Sequence, residues 1–441
     1  MVTGSNFLLA TGGTNILIDC GLAQGTHEAE LRNWEAFPYN PKDISVLIVT
    51  HAHIDHIGRI PKLVRDGFKG RIISTEATKT LAEPMLEDSI ELLGRVGSHA
   101  GKDPLFEKED IVAACKAWET VSYHAPVELG DGITLEFYNS GHILGSAAVQ
   151  VLRTGKKLVF TGDLGGGNSP LLSLAEEVHN VDYVVVESVY GDRTRPQDEE
   201  RKDRLEDIIE NVAARGGTLL IPAFSAERTQ DLLFDIRELM QGKRVPSMPV
   251  YLDSPLAQKI TRAYEQHPNY FSPEMAKRVE GGEHIFSFSE LQFIEDADAS
   301  RGLRTAPSPK IIIAGSGMST GGRALEHERY ILPDKNSTIL ICGYQSAGSL
   351  GRRIADDAKE VYIGKDKVKV VCAVEQIYGY SAHMDGEELL EFVNAMGRGV
   401  ETAFVVMGEP ASSSLLAQRI RDYLGVRAVV PEAGESATIE W

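Results

Sequence analysis

A short run of metal-binding residue types, set between a strand pattern and a helix pattern, constrains this chain more than any other stretch. Residues 44–49, Ile-Ser-Val-Leu-Ile-Val, are apolar and β-branched, which predicts a buried strand. Residues 57–65 carry apolar side chains at helical spacing, which predicts a helix. The turn between the two segments holds His51, His53, Asp55 and His56. The chain must therefore fold with a polar, ligand-rich turn at the end of a buried strand.

The spacing of these four residues divides them into two pairs. Side chains alternate along an extended segment, so His51 and His53 project to the same side and can hold one ion. Asp55 and His56 begin the helix, point elsewhere and can serve a second ion. Neutral imidazole and carboxylate suit zinc, with iron or manganese as alternatives. A single histidine would more simply be a solvated loop residue, but four ligand types in six positions make that explanation a poor one.

This run resembles the His-x-His-x-Asp-His motif of the metallo-β-lactamase superfamily. The resemblance implies an Asp after an early strand, a lone His further on, and an Asp after a later strand. The chain supplies Asp19 in Ile-Leu-Ile-Asp-Cys-Gly, His142 in Ser-Gly-His-Ile-Leu-Gly-Ser and Asp163 in Leu-Val-Phe-Thr-Gly-Asp. Each position lies beside a glycine at a predicted strand end, as expected for a site built from turns on a rigid sheet.

Composition limits the class of protein. The 441 residues have room for two or three domains, and the formal net charge of -19 argues against uncontrolled binding to nucleic acid or anionic membrane, although a local basic groove is compatible with it. No segment is long enough to span a bilayer and no signal-peptide pattern opens the chain, so we expect a cytoplasmic protein without a membrane partner. The four cysteines are widely spaced, which predicts buried thiols and no disulfide framework.

Two α/β patterns follow one another along the chain. Residues 1–192 alternate strands, Gly-rich turns and helices, and a charged connection from Arg193 to Arg204 follows them. Alternating strands and helices then continue to about residue 374, which is typical of a parallel sheet covered by helices. We predict a first domain in residues 1–192, a second in 193–374, and a segment that returns to the first domain in 375–441.

The later motifs narrow the resemblance. Glu-Ser-Val-Tyr-Gly at 187–191 is followed by the long insertion and then by Ser-Ala-His-Met-Asp at 381–385. This order resembles the β-CASP nucleases, and best the bacterial relatives of the nuclease subunit of the cleavage and polyadenylation specificity factor. The insertion also carries similar runs at 314–322, 343–345 and 350–353. The resemblance covers nearly the whole chain. It implies an α/β fold, a metallo-β-lactamase αββα sandwich with an inserted β-CASP cap domain.

The resemblance also implies a metal-dependent ribonuclease, mainly an endonuclease with 5′ exonuclease activity as a second mode. Two zinc ions can activate water and clamp a phosphate during in-line displacement. We assign His51, His53 and His142 to the first ion, Asp55 and His56 to the second, and Asp163 to both. Asp19 would orient a ligand imidazole from outside the ligand shell, and Asp19 and Asp55 are therefore counted among the catalytic residues as well.

A general acid is needed because the 3′ oxygen of a ribose leaves poorly unless it is protonated. His383 is our candidate, and Glu187 would orient it and raise its pKa. A loop histidine without a role would be the usual explanation for His383 alone. Its Ser-Ala-His context and its pairing with Glu187 favour the catalytic role.

Contacts to the substrate phosphate are predicted in the insertion. The Gly-rich run at 315–322 lies between a strand and a helix, so its backbone N–H groups could cradle a phosphate. A tight turn requires glycine as well, so the pattern alone is ambiguous. The candidate phosphate contacts are Ser316, Gly317, Arg323, Arg352, Arg353 and Ser381.

The chain departs from the family pattern at two places. A ligand His usually precedes Gly-Glu after the strand that follows Ser-Ala-His, and here that place is held by Met407. A thioether is a soft ligand that suits cuprous copper better than zinc, so the second ion is expected to be weakly or partly bound. The family also begins with a strand before Val-Thr-Gly-Ser, whereas this chain starts at Met1. We therefore expect the first strand to be missing, unless Met1 is not the true start.

Two other functions remain open at this stage. A catalytically weakened, RNA-binding or scaffold homologue is favoured by Met407, while the intact ligand set argues against it. A hydrolase of small esters or thioesters has no obvious use for the cap. We expect RNA as the partner, with single-stranded DNA as an alternative, and either a monomer or a homodimer.

Overall fold

Short aliphatic runs form the first sheet, in the order β1-β2-β3-β4-β5. β1 pairs antiparallel with β2, and the remaining strands are parallel to one another. β3 is buried along its whole length, as expected for a parallel strand between two layers. The strands are β1 Phe7–Ala10, β2 Asn15–Ile18, β3 Val46–Ile48, β4 Arg71–Ser74 and β5 Trp118–Thr120.

Helices accompany this sheet on one side. Leu17, Leu47 and Ile72 are fully buried and alternate with the residues that face the second sheet, so they form the helix-facing side. The helices are α1 His27–Leu31, α2 Ile54–Ile57, α3 Ile60–Arg65, α4 Glu76–His99 and α5 Lys108–Lys116. The computed structural model describes residues 2–167, 169–194, 201–343, 345–346 and 348–441.

The second sheet packs face to face with the first. Its first five strands are β6 Val127–Gly130, β7 Ile133–Asn139, β8 Ala147–Arg153, β9 Lys156–Phe160 and β10 Tyr183–Glu187. β6 to β9 form an antiparallel meander, and β10 is parallel to β9. Ile16 and Ile48 of the first sheet share one core with Leu135, Val149 and Phe160 of the second.

The inserted segment forms a parallel six-stranded sheet, in the order β13-β12-β14-β11-β15-β18. Its strands, with the added antiparallel hairpin β16–β17, are β11 Thr218–Pro222, β12 Val250–Asp253, β13 Leu291–Phe293, β14 Lys310–Ala314, β15 Thr338–Cys342, β16 Glu360–Ile363, β17 Asp366–Lys369 and β18 Ala373–Ile377. Its helices are α6 Arg201–Arg215, α7 Arg228–Gln241, α8 Pro255–Gln266, α9 Pro273–Glu280, α10 Ala297–Gly302, α11 Gly322–Ile331 and α12 Leu350–Ala355.

The end of the chain returns to the second sheet. β19 Thr402–Val406 lies parallel to β10, and β20 Arg427–Val429 forms the edge beyond it. α13 Gly386–Ala395 and α14 Pro410–Arg419 bury Leu389, Phe392 and Leu416 in one core with Val184 and Val186. These helices complete a helix–sheet–sheet–helix sandwich, so the predicted αββα fold with an inserted α/β domain is confirmed.

The described residues divide into two units. The first unit draws on Met1–Gly167, Leu172–Thr194 and His383–Trp441, and the second on Asn168–Leu171 and Arg195–Ala382. The predicted domain limits at 192 and 374 stay predictions, and part of the predicted connection, residues 195–200, lies outside the described residues.

Other sequence expectations are met only in part. The hairpin β16–β17 and the strand β20 were not predicted. The missing first strand stays a prediction, and β1 forms the edge of the first sheet.

Among the described residues, no helix has both the length and the apolar character needed to cross a bilayer. Cys20, Cys342 and Cys372 are buried free thiols, as expected, and Cys115 is partly exposed.

A buried carboxyl group lies within the second unit. Glu328 on α11 is fully buried, and neither of its carboxylate oxygens has a hydrogen-bond partner of good geometry among the described residues. Burial raises the pKa of this carboxyl group to about 7, although the Ser319 hydroxyl opposes the shift. The folded protein therefore keeps Glu328 protonated at pH values where an unfolded glutamate has already ionised.

We predict that Glu328→Gln stabilises the protein in a pH-dependent way. Unfolding releases the Glu328 proton between the ordinary pKa of 4.5 and the folded value of about 7, so wild-type stability falls across this window. Glutamine cannot ionise, and the gain should rise from near zero at pH 4.5 to about 3 kcal/mol at pH 8. Thermal melts across this range measure the gain.

Glu326→Gln is the matched control. This residue lies on the same helix with its side chain 70% exposed, so its substitution should leave the pH dependence of stability unchanged. Parallel pH profiles for wild type and Glu328→Gln would contradict the prediction.

Candidate metal centre

Strand ends place every predicted ligand of the first unit at one edge of the sandwich. Asp19 follows β2, and the run 51–56 follows β3, which lies parallel beside β2. Asp163 follows β9 and Glu187 ends β10, which is parallel to β9. Because parallel strands end at the same edge of a sheet, these side chains converge. His142 joins them from the β7–β8 connection.

Three imidazoles converge on one point. Nε2 of His51 and Nε2 of His142 each lie 3.1 Å from Nδ1 of His53. Nitrogens bound to one tetrahedral zinc ion at ~2.1 Å lie about 3.4 Å apart. The observed spacing therefore fits three ligands of a single ion.

Asp163 lies between this group and a second one. Its Oδ2 is 3.6 Å from Nε2 of His51 and 3.5 Å from Nε2 of His142. Its Oδ1 points the other way, 3.4 Å from Nε2 of His56. One carboxylate thus offers an oxygen to each of two neighbouring positions.

The second position is formed by Asp55 and His56. Oδ2 of Asp55 lies 3.9 Å from Nε2 of His56. Nε2 of His56 is buried without a hydrogen-bond partner of good geometry among the described residues. A buried imidazole nitrogen facing two carboxylates fits a cation ligand.

Asp19 holds the other side of His56. Its Oδ2 lies 2.7 Å from Nδ1 of His56. Thr50 donates its backbone N–H to Oδ1 over 2.9 Å, and the Thr50 hydroxyl lies 2.9 Å from Oδ2. Ser5 lies 3.1 Å from the same oxygen. The carboxylate therefore fixes which nitrogen of His56 faces the second position.

Close backbone contact brings the Asp19 loop against this turn. The N–H of Cys20 donates to the carbonyl of His56 over 2.8 Å, and that of Leu22 donates to Ile54 over 3.1 Å. A Cβ atom at Gly21 would fall 1.5 Å from the carbonyl oxygen of Asp55. Only glycine allows this approach, so Gly21 is required for the contact between Asp19 and His56.

The electrostatics suit cation binding. Burial and the neighbouring imidazole of His56 hold the pKa of His51 well below its usual range, and burial does the same to His142. Both are therefore neutral near pH 7, the form of imidazole that binds metals. Burial lowers the pKa of His56, but Asp163 and Asp19 outweigh burial and hold it well above its usual range. A cation at Nε2 of His56 must therefore displace a proton.

His383, which is partly exposed, pairs with the buried Glu187 in the same unit. Nδ1 of His383 lies 3.2 Å from Oε1 of Glu187, and the ring centroid is 4.7 Å from that of His142. Glu187 accepts backbone hydrogen bonds from Leu164 over 2.6 Å and from Val189 over 3.2 Å. Burial lowers the pKa of His383, but Glu187 outweighs this and raises it to about 9. The pair is preorganised to carry a proton.

Met407 lies beside the second position. It follows β19 with a φ of 57°, which is uncommon outside glycine. It lines one small cavity of about 10 Å³ together with Asp19, Thr50 and His56. Met407 thus lies near His56, at the place where the family pattern has another histidine.

The predicted phosphate contacts all belong to the second unit, and their surroundings differ. Arg323 donates to Asp253, to the carbonyl of Ile294 over 2.9 Å and to that of Glu295 over 2.7 Å. Arg352 pairs with Asp356 over 2.8 Å on an exposed helix face, and Arg353 is exposed. These arginines lie on two helices, Arg323 on α11 and the other two on α12.

The remaining candidates lie on loops. The Ser316 hydroxyl accepts the backbone N–H of Thr320 over 3.0 Å and so shapes the Gly-rich loop that also contains Gly317. Ser381 is buried, and its hydroxyl has no hydrogen-bond partner among the described residues.

Two residues that the structure places at the ends of buried strands were not singled out from the sequence. Thr50 binds Asp19, and Arg228 lies buried at the start of α7. Both follow the carboxyl end of a parallel strand, where ligand sites of α/β sheets occur, and that position is the signal that could have found them.

Three family models match the chain. The metallo-β-lactamase superfamily matches residues 2–196, the Beta-Casp domain matches 229–354, and the Zn-dependent metallo-hydrolase RNA specificity domain matches 367–431.

Relatives match over most of the chain. Ribonuclease TTHA0252 of Thermus thermophilus is 37% identical over 90% of this chain and 90% of its own length. An RNase J-like protein of Methanocaldococcus jannaschii is 31% identical over 95% of this chain and 93% of its own. Transcription termination factor FttA of the same organism is 30% identical over 96% of this chain and 67% of its own.

A solved structure shares the fold. The crystal structure of a protein of unknown function from Enterococcus faecalis matches 99% of this chain and 96% of its own, with a TM-score of 0.52 and 13% identity. With the fold, the converging ligands and these matches, the chain belongs to the metallo-β-lactamase superfamily and, within it, to the proteins that carry a β-CASP domain.

Proposed function

We propose that the protein is a metal-dependent ribonuclease that hydrolyses RNA phosphodiester bonds, mainly by internal cuts. The proposal is carried by the position of Asp163, whose two carboxylate oxygens face different ligand groups. The His383–Glu187 pair lies beside these groups. The matched RNA specificity domain and two relatives named as ribonucleases support RNA as the substrate.

The ligand groups would hold two ions, with zinc as the metal that suits them and manganese or iron as alternatives. His51, His53 and His142 would hold the first, and Asp55 and His56 the second. Two bound ions would supply Lewis acidity and lower the pKa of a bound water to about 7. Asp163 would contribute one oxygen to each.

Hydrolysis adds a water oxygen to phosphorus and breaks the bond from phosphorus to the 3′ oxygen. That oxygen needs a proton as it leaves. His383 would supply it from Nε2, because Nδ1 faces Glu187. Glu187, held by two backbone N–H groups, would fix the orientation of the ring and keep it protonated.

We predict that His383→Ala lowers the turnover of RNA cleavage by roughly 10²–10⁴-fold, the usual contribution of a general acid. Asp55→Ala should lower it through loss of the second ion. RNA labelled at the 5′ end or the 3′ end, with zinc or manganese added, separates internal cuts from end digestion.

Metal content makes this test specific. His383→Ala should retain the metal content of wild type, because His383 is assigned to neither ion, whereas Asp55→Ala should not. His27→Ala, an exposed histidine of the same unit, is the control and should cleave like wild type. Equal cleavage by wild type and His383→Ala would reject the proposed acid, and no cleavage by wild type would reject the ribonuclease.

The two halves of the centre would differ in affinity. In the first group, Nε2 of His51 and Nε2 of His142 each lie 3.1 Å from Nδ1 of His53. In the second group, Met407 lies near His56. A thioether adds little to the binding of zinc or manganese. The second ion would therefore exchange readily.

We predict that Met407→His increases metal retention. After mild chelation, wild type should keep about one ion per chain and Met407→His about two, because four-coordinate sites bind zinc tightly. Elemental analysis and thermal melts measure this without reference to activity. Met407→Leu is the control and should match wild type. Two ions retained by wild type would show that Met407 does not weaken the site.

A further inference from the structure

Two buried acids of the second unit share one arginine. Asp231 and Asp235 lie one turn apart on α7 and are 0% and 3% exposed. Nη1 of Arg201 lies 3.1 Å from Oδ2 of Asp231, and Nε of the same guanidinium lies 3.1 Å from Oδ2 of Asp235. One positive charge between two carboxylates leaves a negative charge in a buried place, so the acids need further hydrogen-bond donors.

The further donors are hydroxyl groups of two separate segments. The Ser169 hydroxyl donates to Oδ1 of Asp231 over 2.7 Å, and the Tyr380 hydroxyl donates to Oδ2 of Asp235 over 2.9 Å. The guanidinium of Arg201 also lies over the Tyr380 ring, 4.6 Å from its centroid. Moving either segment away would leave a buried carboxylate oxygen without its donor, which costs free energy. We call this group of side chains the Arg201 cluster.

Both segments lead to the candidate metal centre. Asn168–Leu171 belong to the second unit, although the chain on both sides of them belongs to the first. They follow Asp163, whose carboxylate faces both ligand groups. Tyr380 lies close to the end of the second unit, and the first unit resumes at His383. The Arg201 cluster therefore holds the chain just after one candidate ligand and just before the proposed acid.

The same two stretches of chain are paired inside the first unit. The backbone N–H of Met384 donates to the carbonyl of Leu164 over 2.8 Å, and Gly165 forms an isolated β-bridge with His383. The N–H of Leu164 donates to the Glu187 carboxylate over 2.6 Å. A shift of either stretch would therefore disturb the contact of His383 with Glu187.

Gly379 allows the segment before His383 to approach Arg201. A Cβ atom at Gly379 would lie 2.9 Å from Cβ of Arg201, which leaves no room for a larger residue. The Gly379 carbonyl accepts a hydrogen bond from Nη1 of Arg201 over 3.4 Å. The backbone of this segment and the Tyr380 side chain are thus both fixed to one arginine.

Arg237 of the same unit provides a matched comparison. It pairs with Glu238 over 2.9 Å and with Glu283 over 2.7 Å, and these acids belong to neither segment. The side chains of Arg201 and Arg237 are 12% and 6% exposed, so both arginines bridge two acids from a largely buried position. Breaking a buried ion pair lowers stability in either case. The position of the proposed acid, in contrast, should depend on Arg201 and not on Arg237.

We propose that Arg201 is a positioning residue for the transfer of a proton to the leaving 3′ oxygen. With Asp231 and Asp235 it holds the segments that continue to Asp163 and His383, and so fixes where the proton donor lies. The proposal rests on the proposed ribonuclease function. Misplacing a reacting group by about 1 Å can cost roughly 10²-fold in rate, so a residue outside the reacting groups can control turnover.

The test compares Arg201→Met with Arg237→Met in cleavage of a labelled RNA, at a temperature where both variants are folded. Arg201→Met should lower kcat by roughly 10-fold to 10²-fold with KM within about twofold of wild type, because the positioning is needed in the transition state. Arg237→Met should have a lower melting temperature and the kcat of wild type. If Arg201→Met does not fold, Ser169→Ala and Tyr380→Phe, which each remove one hydroxyl of the cluster, take its place.

A second pair of variants asks whether Arg201 acts through His383. Effects of residues that act as a unit do not add, so Arg201→Met in a His383→Ala background should lower the remaining rate by less than about twofold. A purely structural role would give the full loss in both backgrounds. That result, or equal kcat values for Arg201→Met and Arg237→Met, would overturn the proposal.

Hydrogen exchange gives a readout that does not need activity. Exchange of backbone amides follows local opening, so peptides covering 169–171 and 379–385 should exchange roughly tenfold faster in Arg201→Met and at the wild-type rate in Arg237→Met. Unchanged exchange in Arg201→Met would show that the cluster does not hold these segments. Failure of wild type to cleave RNA would overturn the proposed function, and exchange would still decide whether Arg201 holds both segments.

Discussion

The candidate centre depends on the Asp163 carboxylate, whose two oxygens face two different sets of side chains. One oxygen faces His51 and His142 and the other faces His56, so the two groups share a negative charge at their boundary. Two divalent ions a few ångströms apart would repel strongly in a buried site, and a carboxylate between them reduces that repulsion. This arrangement requires β9 to end level with β3, which the packing of two sheets around one core provides.

The two halves of the centre differ in protonation. In the first group His51 and His142 are neutral, and Nε2 of each lies 3.1 Å from Nδ1 of His53. In the second group, His56 is a cation paired with Asp163 and Asp19, and binding there must compete with a proton. Met407 would act in the same direction, since a thioether stands where the family pattern places an imidazole. Both effects would make occupancy of the proposed second position sensitive to pH and to metal supply.

Sequence predicts the ligand run because its four members lie within six positions, where strand and helix periodicity fix their directions. His383 and Glu187 are 196 positions apart, and only the family resemblance joined them before the structure gave their contact. The position of Arg228 after a parallel strand could have marked it as a candidate, but its lack of an acidic partner could not be predicted. Helical spacing would pair it with Asp231, three residues away, whereas the structure gives that acid to Arg201. Which of two basic residues takes a given acid depends on tertiary packing, and no local pattern records it.

Two buried ionisable side chains of the second unit, Glu328 and Arg228, meet the cost of burial in different ways. Glu328 avoids the cost of a buried charge by staying protonated to about pH 7, so its burial needs no partner. A guanidinium cannot lose its proton in a protein, and the cost of burying Arg228 persists at every pH. Phe224 and the Tyr380 carbonyl offset only part of that cost. Burial of Arg228 therefore carries a cost that burial of Glu328 avoids.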